Sequence, residues 1–182
     1  MIKYIALLRG INVGGNKLIK MADLREVFEH SGFKNVSSYI QSGNVIFDAK
    51  ETDADAVVRK IEKKIHQSLG HQVTVILRTA AELKACVKGD PFKRIKSGED
   101  VTKFVTFMSA EPSNQPRLPF VIAKENVEVL AIKNRAAFVV CRRKQNGMFG
   151  FPNAFFEKEL SVAATTRNWN TVTKILELAE KS

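Results

Sequence analysis

The stretch LLRGINVGGNKLIKM, Leu7 to Met21, places Gly10, Asn12, Gly14, Gly15 and Asn16 between Arg9 and Lys17. A glycine-rich passage from strand to helix can turn backbone N–H groups toward an anion. In that chemistry Arg9 and Lys17 supply positive charge, and Asn12 and Asn16 donate side-chain hydrogen bonds. Neither named phosphate loop is present. In G-x-x-x-x-G-K-[ST], Asn16 stands where the lysine must be and Lys17 where the hydroxyl must be, and G-x-G-x-x-G is broken at Asn12. The structural alternative is that the glycines and asparagines only satisfy left-handed turn geometry. The loop is nevertheless longer than the roughly 2–6 residues of an ordinary strand–helix joint, and loops on rigid scaffolds carry sites.

Two further turns share this character. In ATTRNWNTVTKILELA, the cluster TTRNWNT precedes an apolar stripe of Trp169, Val172, Ile175, Leu176 and Ala179. At a helix start the unpaired N–H groups of Asn168 and Asn170 favour an anion, and Arg167 can fork two bonds to a phosphate or carboxylate. The alternative is a cap at Thr166 or Asn168 with Trp169 in the core. In QSGNV, Gln41, Ser42 and Asn44 can line a cleft, although a hairpin turn at Gly43 explains them equally well. The segment KNRAAFVVCRRK carries Lys133, Arg135, Arg142, Arg143 and Lys144 without an acid, which suits either a nucleic-acid backbone or a solvated hairpin. No HExxH, G-x-S-x-G or C-x-x-C occurs, so the residues name no reaction and no cofactor. His30, His66 and His71 lack metal-ligand spacing. Cys86 and Cys141 suit reduced, buried thiols and a cytoplasmic location.

The elements that must carry these turns follow from periodicity. Ile2 to Leu8 reads as a strand, and MADLREVFEHSGF as a helix with Met21, Leu24, Val27 and Phe28 on one side. VSSYIQSGNVIFDA reads as a hairpin, and ADAVVRKIEKKIHQSLG as a helix burying Val57, Val58, Ile61, Ile65 and Leu69. QVTVILR is a fourth strand. This β-α-β-β-α-β order predicts a ferredoxin-like lobe over residues 1–90. Thr79 and Glu82 form a capping box for a short helix, and residues 88–100 read as a linker. The second half, 91–182, gives a strand VTKFVTFM, a proline-broken passage, a hairpin around Asn134, a helix FPNAFFEKEL and a last helix from about Asn168. The expected fold class is α+β: two ferredoxin-like lobes, the second a partial β-α-β-β-α copy without a fourth strand, plus a C-terminal helix. An RNA-recognition module is disfavoured, because NVIFDA offers only Phe47, which should face the core.

Composition sets the partners. The 182 residues carry a net charge of +10 and 45% hydrophobic residues, enough for a core. The charge favours anionic small molecules or nucleic acid, though basic proteins are also basic for solubility. It is spread evenly along the chain. No run of about 18 apolar residues predicts a membrane span, and the first residues alternate like a strand rather than a signal peptide.

Taken in order, ALLRGINVGGNK, KMADLREVFEHSGF, YIQSGNVIF and ATTRNWNTVTKILELA resemble the domain of unknown function 1697 family of bacterial proteins. The resemblance implies a cytosolic α+β protein with ferredoxin-like halves and no established activity. It groups Arg9, Gly10, Asn12, Gly14, Gly15, Ser42, Gly43, Asn44, Arg167, Asn168, Trp169, Asn170 and Thr171. In a ferredoxin-like lobe, the glycine loop and the QSGN turn fall at the same end of the sheet. Two functions follow as expectations. One is binding of an anionic or phosphorylated small ligand, or nucleic acid, at a site built from Arg9, Asn12, Gly14, Gly15, Asn16, Lys17, Ser42, Asn44, Arg167, Asn168 and Asn170. The other is a structural or protein-interaction module whose motifs only join the two lobes.

Overall fold

The computed structural model describes residues 1–15, 17–96, 98–114, 116–150 and 152–181. Among these residues it is a mixed α+β protein with two antiparallel sheets and five helices, the last at the C-terminal end. Two compact units divide the chain. One comprises Met1–Leu83 together with the chain from Ile175 onward, and the other Lys84–Lys174.

In the first unit the order is β1 (Ile2–Leu8), α1 (Met21–His30), β2 (Lys34–Tyr39), β3 (Asn44–Ala49), α2 (Ala54–Leu69) and β4 (Val75–Thr79), after which α3 (Ala80–Lys88) begins. The strands lie in the order β2-β3-β1-β4. Side chains alternate across a strand, so Tyr4, Ala6 and Leu8 share a face with Val45, Phe47, Ala49, Val75 and Leu77. That face packs on Leu24, Val27 and Phe28 of α1 and on Val57, Ile61 and Ile65 of α2, the helical stripe read from the sequence. Phe47 is the hub, with ring centroids 4.6 Å from Phe33, 5.2 Å from Phe28 and 5.8 Å from Tyr4. The opposite face, with Ile5, Leu7, Ile46, Ile76 and Arg78, is buried as well.

Helix ends follow the expected chemistry. The Asp53 side chain accepts from the Asp55 N–H at the start of α2, and Gly70, at φ +71, closes its far end. The capping box of α3 forms in both directions. The Thr79 N–H donates to Glu82 Oε2 at 2.7 Å, and the Glu82 N–H donates to Thr79 Oγ1 at 3.1 Å.

The second unit contains β5 (Val101–Met108), β6 (Phe120–Ile122), a 3-10 turn at Ala123–Glu125, β7 (Val127–Lys133), β8 (Ala136–Arg142), α4 (Asn153–Glu159) and β9 (Ala164–Asn168); α5 (Trp169–Lys181) follows. Its sheet runs β6-β7-β8-β5-β9. This corrects the expected partial copy in two respects. The fourth strand is present: β9 pairs antiparallel with β5, as β4 pairs with β1. In addition, β6 and the 3-10 turn stand in the chain where the first lobe has a helix. The prolines at 112, 116 and 119 explain the second difference, since each lacks an N–H for a helical ladder. The hairpin at Asn134 has both turn residues at positive φ, +50 and +58, the geometry that lets strands continue their twist.

Candidate anion-binding site at the glycine loop

The chain leaves β1 between two neighbours. The Leu8 N–H donates to the Gly43 carbonyl at 2.8 Å, and the Arg9 N–H to the Thr74 carbonyl at 2.9 Å. Ile11 then turns inward and is buried, while Asn12, at φ +54, ties the loop shut at its base. Its Oδ1 accepts from the Ile19 N–H at 2.8 Å. Its Nδ2 donates to the Ile19 carbonyl at 3.0 Å and to the Gln41 carbonyl at 2.8 Å. One amide side chain thus ties the two arms of the loop to each other and to the QSGN turn.

The glycine loop and the QSGN turn are therefore neighbours, as strand direction requires. Gly43 shows how close they come. A Cβ there would lie 2.6 Å from Ile11 Cδ1 and 2.8 Å from Leu8 Cβ, and its φ is +74. Asn44 is fully buried, and its Nδ2 donates to the Tyr39 carbonyl at 2.9 Å and to Ser42 Oγ at 3.0 Å. Ser42 and Asn44 are thus engaged within the turn.

Beyond Asn12 the loop projects. Gly14 and Gly15 are exposed, at φ +59 and +78, and a Cβ on either would meet nothing within 4 Å. Asn16 lies outside the described residues. Lys17, at φ +47, reaches across so that its Nζ donates to the Gln72 carbonyl at 2.7 Å. An open cleft of about 780 Å³ is lined by Lys17 together with Glu62, His66, His71, Gln72 and Thr74. The Glu62 carboxylate, whose Oε1 accepts from the Val75 N–H at 2.8 Å, shares this wall with the lysine and the two imidazoles. His66 and His71 escape a sequence search tuned to metal spacing. The available signal was Gly70, which ends α2 and sends His71 and Gln72 to the sheet end that holds the glycine loop.

The third expected piece differs from its prediction. Arg167 is not at a helix start but inside β9, opposite Val105, and is buried. Its Nη1 donates to Thr165 Oγ1 at 2.7 Å and to the Thr166 carbonyl at 3.0 Å. Burial pulls its pKa down to about 10, so it keeps its charge at neutral pH. Threonine, β-branched and polar, serves strands as readily as caps, and alternation turns Thr165 and Arg167 to one face and Thr166 to the other. Asn168 is the cap, its Oδ1 accepting from the Asn170 N–H at 2.9 Å, while Asn170 is exposed. Trp169 is half-buried, with Phe92 at 5.1 Å and Phe138 at 6.4 Å between ring centroids. Arg167 belongs to the second unit and the glycine loop to the first.

The same junction occurs at β4. Arg78 lies opposite Ile5, is 2% exposed, and donates from Nη1 to the carbonyl of the preceding residue, Leu77, at 2.7 Å. VILRTA and ATTRNW each end a strand with a buried arginine, then a capping Thr or Asn, then a helix. This is a residue-level repeat that separate reading of the two halves misses.

The basic hairpin has acids beside it. Three of its five cations meet acids from elsewhere in the chain: Arg142 with Glu128 at 2.9 Å, Arg143 with Asp100 at 3.0 Å and Lys144 with Glu125 at 2.8 Å. No helix among the described residues is long and apolar enough to cross a membrane.

Comparison with known proteins agrees with the architecture. The family model described as "Protein of unknown function (DUF1697)" matches residues 1–138. The solved structure of the conserved bacterial protein SP0830 from Streptococcus pneumoniae superposes with a TM-score of 0.67 at 25% identity, over 98% of each chain. No curated protein matches.

Proposed function

Since the chain belongs to the DUF1697 family of proteins of unknown function, we propose from its own geometry that it binds an anionic ligand in the cleft lined by Lys17. The ligand chemistry is a phosphate group, carried by a small molecule or by a nucleic-acid segment. The observation that supports this reading is Lys17, at the end of an anchored glycine loop, lining a cleft together with two imidazoles. Lys17 spends one N–H on Gln72 and keeps two for ligand oxygens. Asn12 acts as the anchor rather than as a ligand contact. The strand order β2-β3-β1-β4 and its counterpart β7-β8-β5-β9 support reading residues 1–90 and 91–182 as two ferredoxin-like lobes. A cytoplasmic location is part of the same reading.

The test is thermal stability against pyrophosphate, ribose 5-phosphate and a mixed-sequence oligonucleotide. A native-state ligand at 100 times its Kd adds about 2.7 kcal/mol. Lys17→Ala should weaken the active ligand roughly 10- to 100-fold, the worth of a charged hydrogen bond of about 1.5–3 kcal/mol. A steep loss of binding between low and high salt identifies the polymer, since many phosphate contacts release many counterions. No shift with any of the three, or binding unchanged by Lys17→Ala, sinks the reading.

A second reading is favoured by a specific observation. Asn12, Asn44 and Asn168 all direct side-chain bonds to backbone in their own unit, as in a purely structural motif. Val13, Leu18 and Ile40 are 65%, 70% and 48% exposed, as on a protein-interaction surface. This reading predicts no anion response at all.

A further inference from the structure

At the opposite end of the first sheet, where Ile2 pairs with Ala49 rather than Leu7 with Asn44, a second cleft of about 560 Å³ opens. It owes nothing to the glycine loop. Its walls come from the turn after α1 (Gly32, Phe33), the start of β2 (Lys34), the end of β3 (Asp48, Ala49) and α2 (Lys60), with Lys50 and Glu51 beyond. Gly32 and Asn35, at φ +84 and +50, bend the chain so that Phe33 enters the core and Lys34 does not.

The floor is the edge of the core, where Phe33 and Ala49, 5% and 3% exposed, reach the cleft. The rim is cationic, with Lys34, Lys50 and Lys60 all exposed. Two carboxylates also line the cleft, each with partners of its own, so the three lysines outnumber them. Asp48 accepts from Asn35 Nδ2 at 2.7 Å and lies 3.7 Å from Lys3 Nζ. Glu51 Oε1 accepts from the N–H groups of Thr52 and Asp53 at 2.8 and 2.9 Å. Among the described residues, Lys34 and Lys50 have no ion-pair partner, and Lys60 rests 5.3 Å above the Phe33 ring.

A neutral apolar molecule would leave three ammonium groups facing an apolar guest. A bare inorganic ion would leave the floor uncovered. The complement of this cleft is a molecule with both features, and its volume lies in the range of small-ligand pockets, about 300–1,000 Å³. We propose that the cleft binds a small anion carried on an apolar body, an aromatic or short aliphatic carboxylate, sulfonate or phosphate. The body lies on Phe33 and Ala49 while Lys34, Lys50 and Lys60 hold the charge.

The probes are 8-anilinonaphthalene-1-sulfonate and its uncharged relative N-phenyl-1-naphthylamine, titrated by fluorescence, with amide shifts followed by NMR. The sulfonate should bind one saturable site, shift the amides of Phe33, Ala49 and Lys60, and bind at least 10-fold more tightly than the neutral dye. Lys34→Glu with Lys50→Glu should weaken the sulfonate at least 10-fold and leave the neutral dye unchanged. Lys50→Gln, a milder exposed change, should weaken it about 3-fold. Equal affinity for the two dyes, shifts clustered elsewhere, or sulfonate binding indifferent to the lysine substitutions overturns the proposal.

Discussion

Gly43 and Gly15 are both at positive φ, yet they make different demands. At Gly43 an added Cβ meets Ile11 Cδ1 at 2.6 Å, whereas at Gly15 it meets nothing. Gly43→Ala should therefore cost about 2–4 kcal/mol, overpacking added to left-handed strain. Gly15→Ala should cost about 1 kcal/mol, strain alone. Urea unfolding of the two variants measures the difference. Cys141 gives a second residue-scale test. Burial, followed by the nearby Glu125 carboxylate, pushes its thiol up to about 12 from an ordinary 9.0. The folded state thus holds a proton that the unfolded state gives up. Its contribution to stability is fully present below about pH 9 and is lost as pH rises toward 12, by about 1.4 kcal/mol per pH unit. Stability measured from pH 8 to 10.5 should fall less steeply in Cys141→Val than in the parent, and equal slopes would refute this.

At the scale of elements, β9 is the informative case. The Thr106 and Thr166 hydroxyls lie 2.7 Å apart across the β5–β9 pair, and Thr166 Oγ1 also donates to Asn153 Oδ1 of α4. Thr166→Val should cost about 1–3 kcal/mol by leaving Thr106 without that partner. Adding Thr106→Val should recover part of the loss, a coupling that a double-mutant cycle reads directly. The same strand explains where sequence reading stopped. Helices α1 and α2 are legible because their apolar residues repeat at helical spacing, and strands β1 and β3 because they are short apolar runs bounded by turn residues. The capping box at Thr79 is legible because both partners lie within one turn. ATTRN is not, because four of its five residues are buried although three of those are polar, and polarity beside a helix imitates a cap. β6 has three residues, too few to carry a period. In the candidate site, the adjacency of the glycine loop and the QSGN turn follows from strand direction. The His66–His71 wall depends on a loop conformation that no spacing rule encodes.

At the scale of the whole molecule, the last helix matters most. Ile175, Leu176 and Ala179 of α5 are buried, and the chain from Ile175 onward belongs to the first unit. Burying such side chains is worth about 1.5–3 kcal/mol each for the larger two, against a total stability of about 5–15 kcal/mol. A chain ending at Lys174 should therefore lose much of the protection of its first-unit amides in hydrogen exchange, those of β1 and β4 included. Unchanged protection there would show that the helix contributes little.

This chain order also bears on birth at the ribosome. Synthesis runs from the N-terminus at about 5–20 residues per second, and domains usually fold as they emerge. Here the segment that closes the first unit is translated after the whole of the second. The nascent N-terminal sheet must wait, incompletely covered, while roughly ninety further residues are made. A nascent-chain-binding chaperone would meet this protein during that interval.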